Sequence, residues 1–216
     1  MSAERSDRAT PPIVSAAEWE QARAALLVAE KRTTRAEDAV AAQRRRLPMV
    51  RFRTDYALAG PGGRLDLLDL FSGRSQLVLY QFMDAGPDHL CPGCTWFTHG
   101  VPAHALERLA ETDVSWVTVS DMPLAQMSQA WESMGWTIPY ASSEGTTFSA
   151  DLGAGGGFLL NVFLRVGDEV YRTYTTTQRG VDRLVFTNSI ADLLPYGRQQ
   201  SWEDSPEDWP QHPTYG

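Results

Sequence analysis

From Met49 onward the hydrophobic positions of this chain recur every second residue, whereas upstream they recur every seventh. Trp19, Leu26, Thr33, Val40 and Leu47 form the seven-residue series, with Ala22, Ala29 and Ala36 at the intermediate positions. This narrow seam predicts a long helix over residues 15–46. Ser15 and Glu18 open it as an S-x-x-E capping box, Arg44, Arg45 and Arg46 suit its C-terminal dipole, and Pro48 stops it. Two readings fit the seam. The helix lies across its own domain, or it is an arm through which two copies form a homodimer.

Past Pro48, Val50, Phe52, Thr54, Tyr56 and Leu58 alternate with Arg51, Arg53, Asp55 and Ala57, which predicts one half-buried strand. Gly60-Pro61-Gly62-Gly63 marks a turn, Leu65 and Leu67 start a return strand, and Leu68 to Phe71 make a short helical turn. The unbroken apolar run Gln76–Met83 reads as a buried strand, followed by a helix to about Ala110 and a second buried strand, Val114–Ser120. Pro123 opens another helix, with Leu124, Met127, Trp131 and Met134 on one face. A short strand, Thr137–Ala141, and a glycine-dense loop, Gly153–Gly157, come next. Phe158–Val166 and Glu169–Thr176 pair as a hairpin around Gly167-Asp168. Residues 181–195 mix helix and loop. The acidic tail from Trp202 carries Trp209 and Tyr215, which are expected to pack back on the body.

The chain has two cysteines, and they form a C-x-x-C unit, Cys91-Pro92-Gly93-Cys94, just past the Gln76–Met83 strand. At a strand-to-helix corner of an α/β pattern, that spacing presents a redox dithiol. One helical turn sets the first sulfur on free backbone N–H groups and keeps the second close enough to form a disulfide. Pro92 fixes the backbone and Gly93 lets it turn into the helix. The order strand, helix, strand, helix, hairpin predicts an α/β thioredoxin-like fold, a mixed central sheet flanked by helices, with the long N-terminal helix as an extension. The expected organisation is a lead and helix over 1–47, a thioredoxin-like domain over 48–200, and an acidic tail over 201–216.

Composition narrows the function. A formal net charge of −8 argues against nucleic acid or an anionic membrane surface as partner. No apolar run reaches the roughly 20 residues that span a bilayer, and residues 1–12 lack an apolar signal core. The expected location is the cytoplasm, where a disulfide is transient more often than structural.

Many ordered motifs then carry a family resemblance from Ile13 to Gln200. They include Val14-Ser15 with Glu18-Trp19, Leu70-Phe71-Ser72-Gly73-Arg74-Ser75-Gln76-Leu77, and Gly86-Pro87-Asp88 before the dithiol. Met134-Gly135-Trp136, Thr173-Tyr174-Thr175-Thr176, Arg179-Gly180-Val181-Asp182 and Gly197-Arg198 continue the series. The sequence resembles the bacterial thioredoxin-like family catalogued as domain of unknown function 899. The resemblance implies the fold and a redox role for Cys91 and Cys94, but no agreed activity. The chain departs from the family's pattern at Thr95-Trp96-Phe97-Thr98-His99, where an aromatic-acidic stretch is expected, and at His89, where a tryptophan is usual. Unlike thioredoxin itself, it has no proline before the hairpin strand at Phe158.

The leading functional expectation is a thiol–disulfide oxidoreductase, or a thiol-dependent peroxidase, acting on small-molecule or protein thiols and disulfides without a cofactor. Cys91 attacks and Cys94 resolves. Asp88 stands three residues before Cys91, where a peroxidase motif has threonine or serine, which favours disulfide exchange. His89 is a candidate base beside Cys91, Trp96 a candidate wall of the site, and Arg179 a candidate anion-holding group. A competing reading is a zinc or copper site, or a metal-dependent tailoring enzyme, with Cys91, Cys94, His89 and His99 as ligands. On a continuous helix, His99 would lie about 12 Å from the helix start, out of reach of one ion, unless Gly100 and Pro102 break that helix. A non-catalytic module that assembles through the N-terminal helix is the third reading.

Overall fold

The computed structural model describes residues 10–213. Residues 48–190 form one compact unit, and the described residues on either side of them belong to a second.

In the flanking unit, α1 runs from Ala16 to Arg44 and both arms of its capping box are made. The Ser15 N–H donates to Glu18 Oε2 at 2.9 Å and the Glu18 N–H donates to Ser15 Oγ at 3.3 Å. The Ser15 bonds hold the Glu18 carboxyl below its ordinary range. The seam residues are exposed, from Trp19 and Leu26 at 55% to Val40 at 41%. In the C-terminal segment, Arg198 grips the Asp192 carboxylate with Nε and Nη2, each at 2.7 Å. The Trp209 ring meets Tyr196 edge-on at 5.1 Å, inside its own segment. Tyr215 lies outside the described residues.

Residues 48–190 build one eight-stranded sheet. Its strands are β1 Val50–Phe52, β2 Leu58–Gly60, β3 Gly63–Leu65, β4 Gln76–Phe82, β5 Val114–Ser120, β6 Tyr140–Ser142, β7 Leu159–Val166 and β8 Glu169–Thr176. They lie in the order β1-β8-β7-β4-β5-β6-β2-β3. β4 and β5 are parallel, joined by helices, and β7 returns antiparallel beside β4 with β8 as its hairpin partner. A parallel β-α-β pair flanked by an antiparallel hairpin on the side of the first strand is the thioredoxin arrangement. The chain has a thioredoxin-like α/β fold.

Alternation along β4 sorts its side chains between two cores. Leu77 and Leu79 join Phe71, Val117, Phe148 and Phe163 on one face of the sheet. Val78, Tyr80 and Phe82 face the other cluster, with both cysteines, Phe97 and Trp131. Each fully buried leucine or phenylalanine contributes about 1.5–3 kcal/mol from desolvation, so both faces of β4 hold the sheet.

Three local expectations are corrected. The alternating run from Val50 to Leu58 is two strands, because β1 pairs with β8 while β2 pairs with β3 and β6 on the far side of the sheet. Phe52 and Tyr56 hold the connection by packing on Phe148, at 6.2 and 4.7 Å between ring centres. The helix after the dithiol is broken into α2, Pro92–His99, and α3, Ala103–Glu111. Pro102 supplies no N–H, and Gly100 admits a close neighbour: a Cβ there would lie 2.8 Å from Val185 Cγ1. Beyond α4, Leu124–Met134, a five-residue helix α5, Phe148–Leu152, appears where no helix was expected. It is too short to carry a readable period.

Candidate active site

The dithiol sits at the C-terminal edge of β4, in the turn that starts α2. Cys91 is the N-cap residue and Pro92 follows at the start of the helix. The Cys91 sulfur accepts the Cys94 N–H at 3.4 Å, which places it at the positive end of the helix dipole, where an anion is favoured. The loop that delivers it is fastened twice: Asp84 and Leu90 form an antiparallel bridge, and the Gln126 amide on α4 donates to the Gly86 carbonyl at 3.0 Å.

The two sulfurs have different surroundings. Cys91 is 6% exposed and Cys94 is fully buried. Burial pushes the Cys94 thiol up to about 12. The Tyr80 hydroxyl and the Met83 N–H both bond its sulfur and act in the opposite direction, the Met83 bond at 3.4 Å. The charge of Cys91 and a hydrogen bond to it add to the rise. Tyr80 is held in place by stacking on Phe97, with ring centres 4.2 Å apart.

Cys91 opens on a cavity of about 290 Å³ walled by Tyr80, Met83, Trp96, Phe158, Val181 and Val185, with Pro92, Gly93, Phe97, Asp182 and Asn188 completing it. Two segments close one side: a 3-10 stretch, Gln178–Leu184, and α6, Phe186–Ala191. The Trp96 indole N–H donates to Asn188 Oδ1 at 3.3 Å, and Asn188 Nδ2 donates to the Asp182 carbonyl at 3.4 Å.

Of the residues picked from sequence, Cys91, Pro92, Gly93 and Trp96 meet at this cavity, and Cys94 lies directly beneath it. Arg179 does not line it. It pairs with Asp182 at 3.6 Å and its side chain is 67% exposed. His89 is on the surface. His99 turns away, its Nδ1 accepting the Trp136 indole N–H at 3.1 Å, and His104 pairs with Glu107 at 3.3 Å. Among the described residues, no three His, Cys, Asp or Glu side chains come together as a metal-ligand group. The set Cys91, Cys94, His89 and His99 is therefore not assembled, even though α2 breaks after His99. Sequence reasoning passed over Tyr80, Phe158, Val181, Val185 and Asn188. Tyr80 left one usable sign, a lone hydroxyl on the dithiol-facing side of an apolar strand.

A larger cavity of about 550 Å³ opens along β5 near Arg74, Glu107 and Trp116, but among the described residues no cysteine or histidine lines it. Of the two, the smaller one is bordered by a cysteine.

A model of the family described as "Bacterial protein of unknown function (DUF899)" matches residues 8–215. The chain belongs to the DUF899 family. No curated protein matches this DUF899 sequence. Among solved structures, it is similar to peroxidoxin BcpB from Mycobacterium tuberculosis, at 19% identity over 65% of this chain and 95% of that one, with a TM-score of 0.45. A mutant of PrxQ from Xylella fastidiosa overlaps 66% of this chain and 97% of its own at 15% identity and a TM-score of 0.42. A thiol:disulfide interchange protein from Bacteroides sp. overlaps 60% and 85% at 12% identity and a TM-score of 0.42. At these identities the overlaps assign no activity to the DUF899 chain. Among its described residues, no helix is long and apolar enough to cross a membrane.

Proposed function

We propose that this protein is a thiol–disulfide oxidoreductase whose nucleophile is Cys91 and whose resolving thiol is Cys94. One observation carries the reading: the Cys91 sulfur caps α2 at the edge of a cavity, while the sulfur of Cys94 is sealed one turn behind it.

The thiolate of Cys91 attacks one sulfur of a substrate disulfide, forming a mixed disulfide and expelling the other half as a thiolate, which takes up a proton. Cys94 then loses its proton and attacks the Cys91 sulfur, expelling the second half of the substrate. The substrate gains two electrons and the protein is left with a Cys91–Cys94 disulfide. An external dithiol reductant resets it. The chemistry needs no bound cofactor, and a reducing compartment such as the cytoplasm would supply the reset.

Intact mass measured with and without mild reduction tests this. The expected result is a reversible change of two hydrogens that disappears in Cys91→Ser, with a stable mixed disulfide accumulating in Cys94→Ser. A protein whose mass never responds to oxidant, or which carries stoichiometric zinc or copper on reduced thiols, overturns it. Rapid consumption of a hydroperoxide with a thiol donor would move the same dithiol to the peroxidase class.

A further inference from the structure

The cavity beside Cys91 is lined almost wholly by carbon. Its walls come from β4 (Tyr80) and the residue just past it (Met83), from α2 (Trp96), Phe158 before β7, and Val181 and Val185. The polar side chains in the lining already have partners. Asn188 is held by Trp96 and Asp182, Asp182 pairs with Arg179, and the Tyr80 hydroxyl bonds the Cys94 sulfur. Among the described residues, no lysine or arginine lines the cavity, and the one charged residue that does, Asp182, is acidic. The apolar character extends to the surface on both sides of Val185, where Leu184 is 45% and Phe186 64% exposed, and Trp96 is 47% exposed at the rim.

Resting on the exchange reading above, we infer that this cavity receives an uncharged, apolar substituent of the substrate, so that the substrate class is an uncharged organic disulfide with aliphatic or aromatic arms. A volume of about 290 Å³ equals roughly ten water molecules' worth of space, enough for one such arm beside the reacting sulfur. An anionic arm would have to shed water into a site whose polar side chains already have partners and whose walls are otherwise carbon. Small anionic disulfides are therefore poor substrates. Seating the apolar arm sets the substrate sulfur against Cys91, so the selectivity appears in the rate of mixed-disulfide formation.

The test uses the full-length protein carrying Cys94→Ser, so that only the first step is read, by mass after acid quench. Its probes are dibutyl disulfide, hydroxyethyl disulfide and dithiodiglycolate, each rate divided by that of the same probe with free 2-mercaptoethanol. The expected normalised rate for dibutyl disulfide exceeds that for dithiodiglycolate by at least about tenfold, with hydroxyethyl disulfide between them. Phe158→Ala, which removes one wall, should lower the dibutyl rate by a larger factor than the dithiodiglycolate rate. Phe158→Arg should reverse the order. Normalised rates within about twofold of one another, with Cys91 still faster than the free thiol, overturn the cavity assignment alone. If no probe reacts faster with Cys91 than with the free thiol, the exchange reading falls and this inference falls with it.

Discussion

The Tyr80 hydroxyl is hydrogen-bonded to the sulfur of Cys94, the one of the two thiols that solvent does not reach. Together with the Met83 N–H it directs two donors at a sulfur that burial makes hard to ionise. Burial is the largest reason the proton stays on Cys94; the charge of Cys91 and its hydrogen bond are two smaller influences in the same direction. Once Cys91 is locked in a neutral mixed disulfide both influences vanish, while the two donors stay. Cys94 then ionises most easily at the step that needs it as a nucleophile.

Tyr80→Phe should keep the stack on Phe97 and remove only the hydroxyl. Losing one hydrogen bond to a thiolate, about 1 kcal/mol, should slow release of the mixed disulfide roughly fivefold and move its pH profile upward. Formation of the mixed disulfide should keep its rate. Single-turnover mass measurements separate the two steps. An unchanged release rate would leave Tyr80 as a packing residue.

The raised Cys94 thiol also has a consequence for stability. Its folded value, about 12, lies above the ordinary thiol value of 9.0. The folded state therefore binds the proton more tightly than the unfolded chain, and this contribution is fully present below pH 9 and lost as pH rises toward 12. Urea midpoints should fall more steeply between pH 9 and 11 for the wild type than for Cys94→Ala. Parallel curves would count against the assignment. At pH 8, iodoacetamide should label Cys91 well before Cys94, because Cys91 alone borders the cavity.

Much of this was legible in the order of residues. The C-x-x-C after an apolar strand located the dithiol and fixed which sulfur caps the helix, because that geometry is local. The hairpin around Gly167-Asp168 was readable for the same reason. The cavity was not. Phe158, Val181 and Val185 reach Cys91 only through chain folding, and an apolar residue bound for a cavity has the same pattern as one bound for the core. The run from Val50 to Leu58 misled because Phe52 and Tyr56 alternate correctly but serve as anchors for a crossing segment. His99 sat near the cysteines in sequence, yet the turn of α2 aims it at Trp136.

Gly100 links the dithiol helix to the cavity wall. A methyl group there would meet Val185 Cγ1 at 2.8 Å and the Phe97 carbonyl at 3.2 Å. Gly100→Ala should therefore displace Val185 and cost about 1–3 kcal/mol, read as a lower urea midpoint. It should also slow Cys91 with dibutyl disulfide more than with hydroxyethyl disulfide. A variant as stable and as selective as the wild type would show that the wall yields without cost.

The two cores on opposite faces of β4 make stability and reactivity separable. Phe148 is fully buried on the face away from the dithiol, edge-on to Tyr56 at 4.7 Å and to Phe52 at 6.2 Å. Removing its ring leaves a void among residues that β1, β7 and α5 hold in place, so the site can close only partly. Phe148→Ala should cost about 3–5 kcal/mol. Cys91 and Cys94 pack in the other cluster, across the sheet from this void. The rate at which Cys91 is alkylated in the folded variant should therefore match the wild type within about twofold, provided the assay stays well below the new urea midpoint. A large change in that rate at unchanged foldedness would mean the sheet transmits strain between its faces, and the two clusters would have to be treated as one.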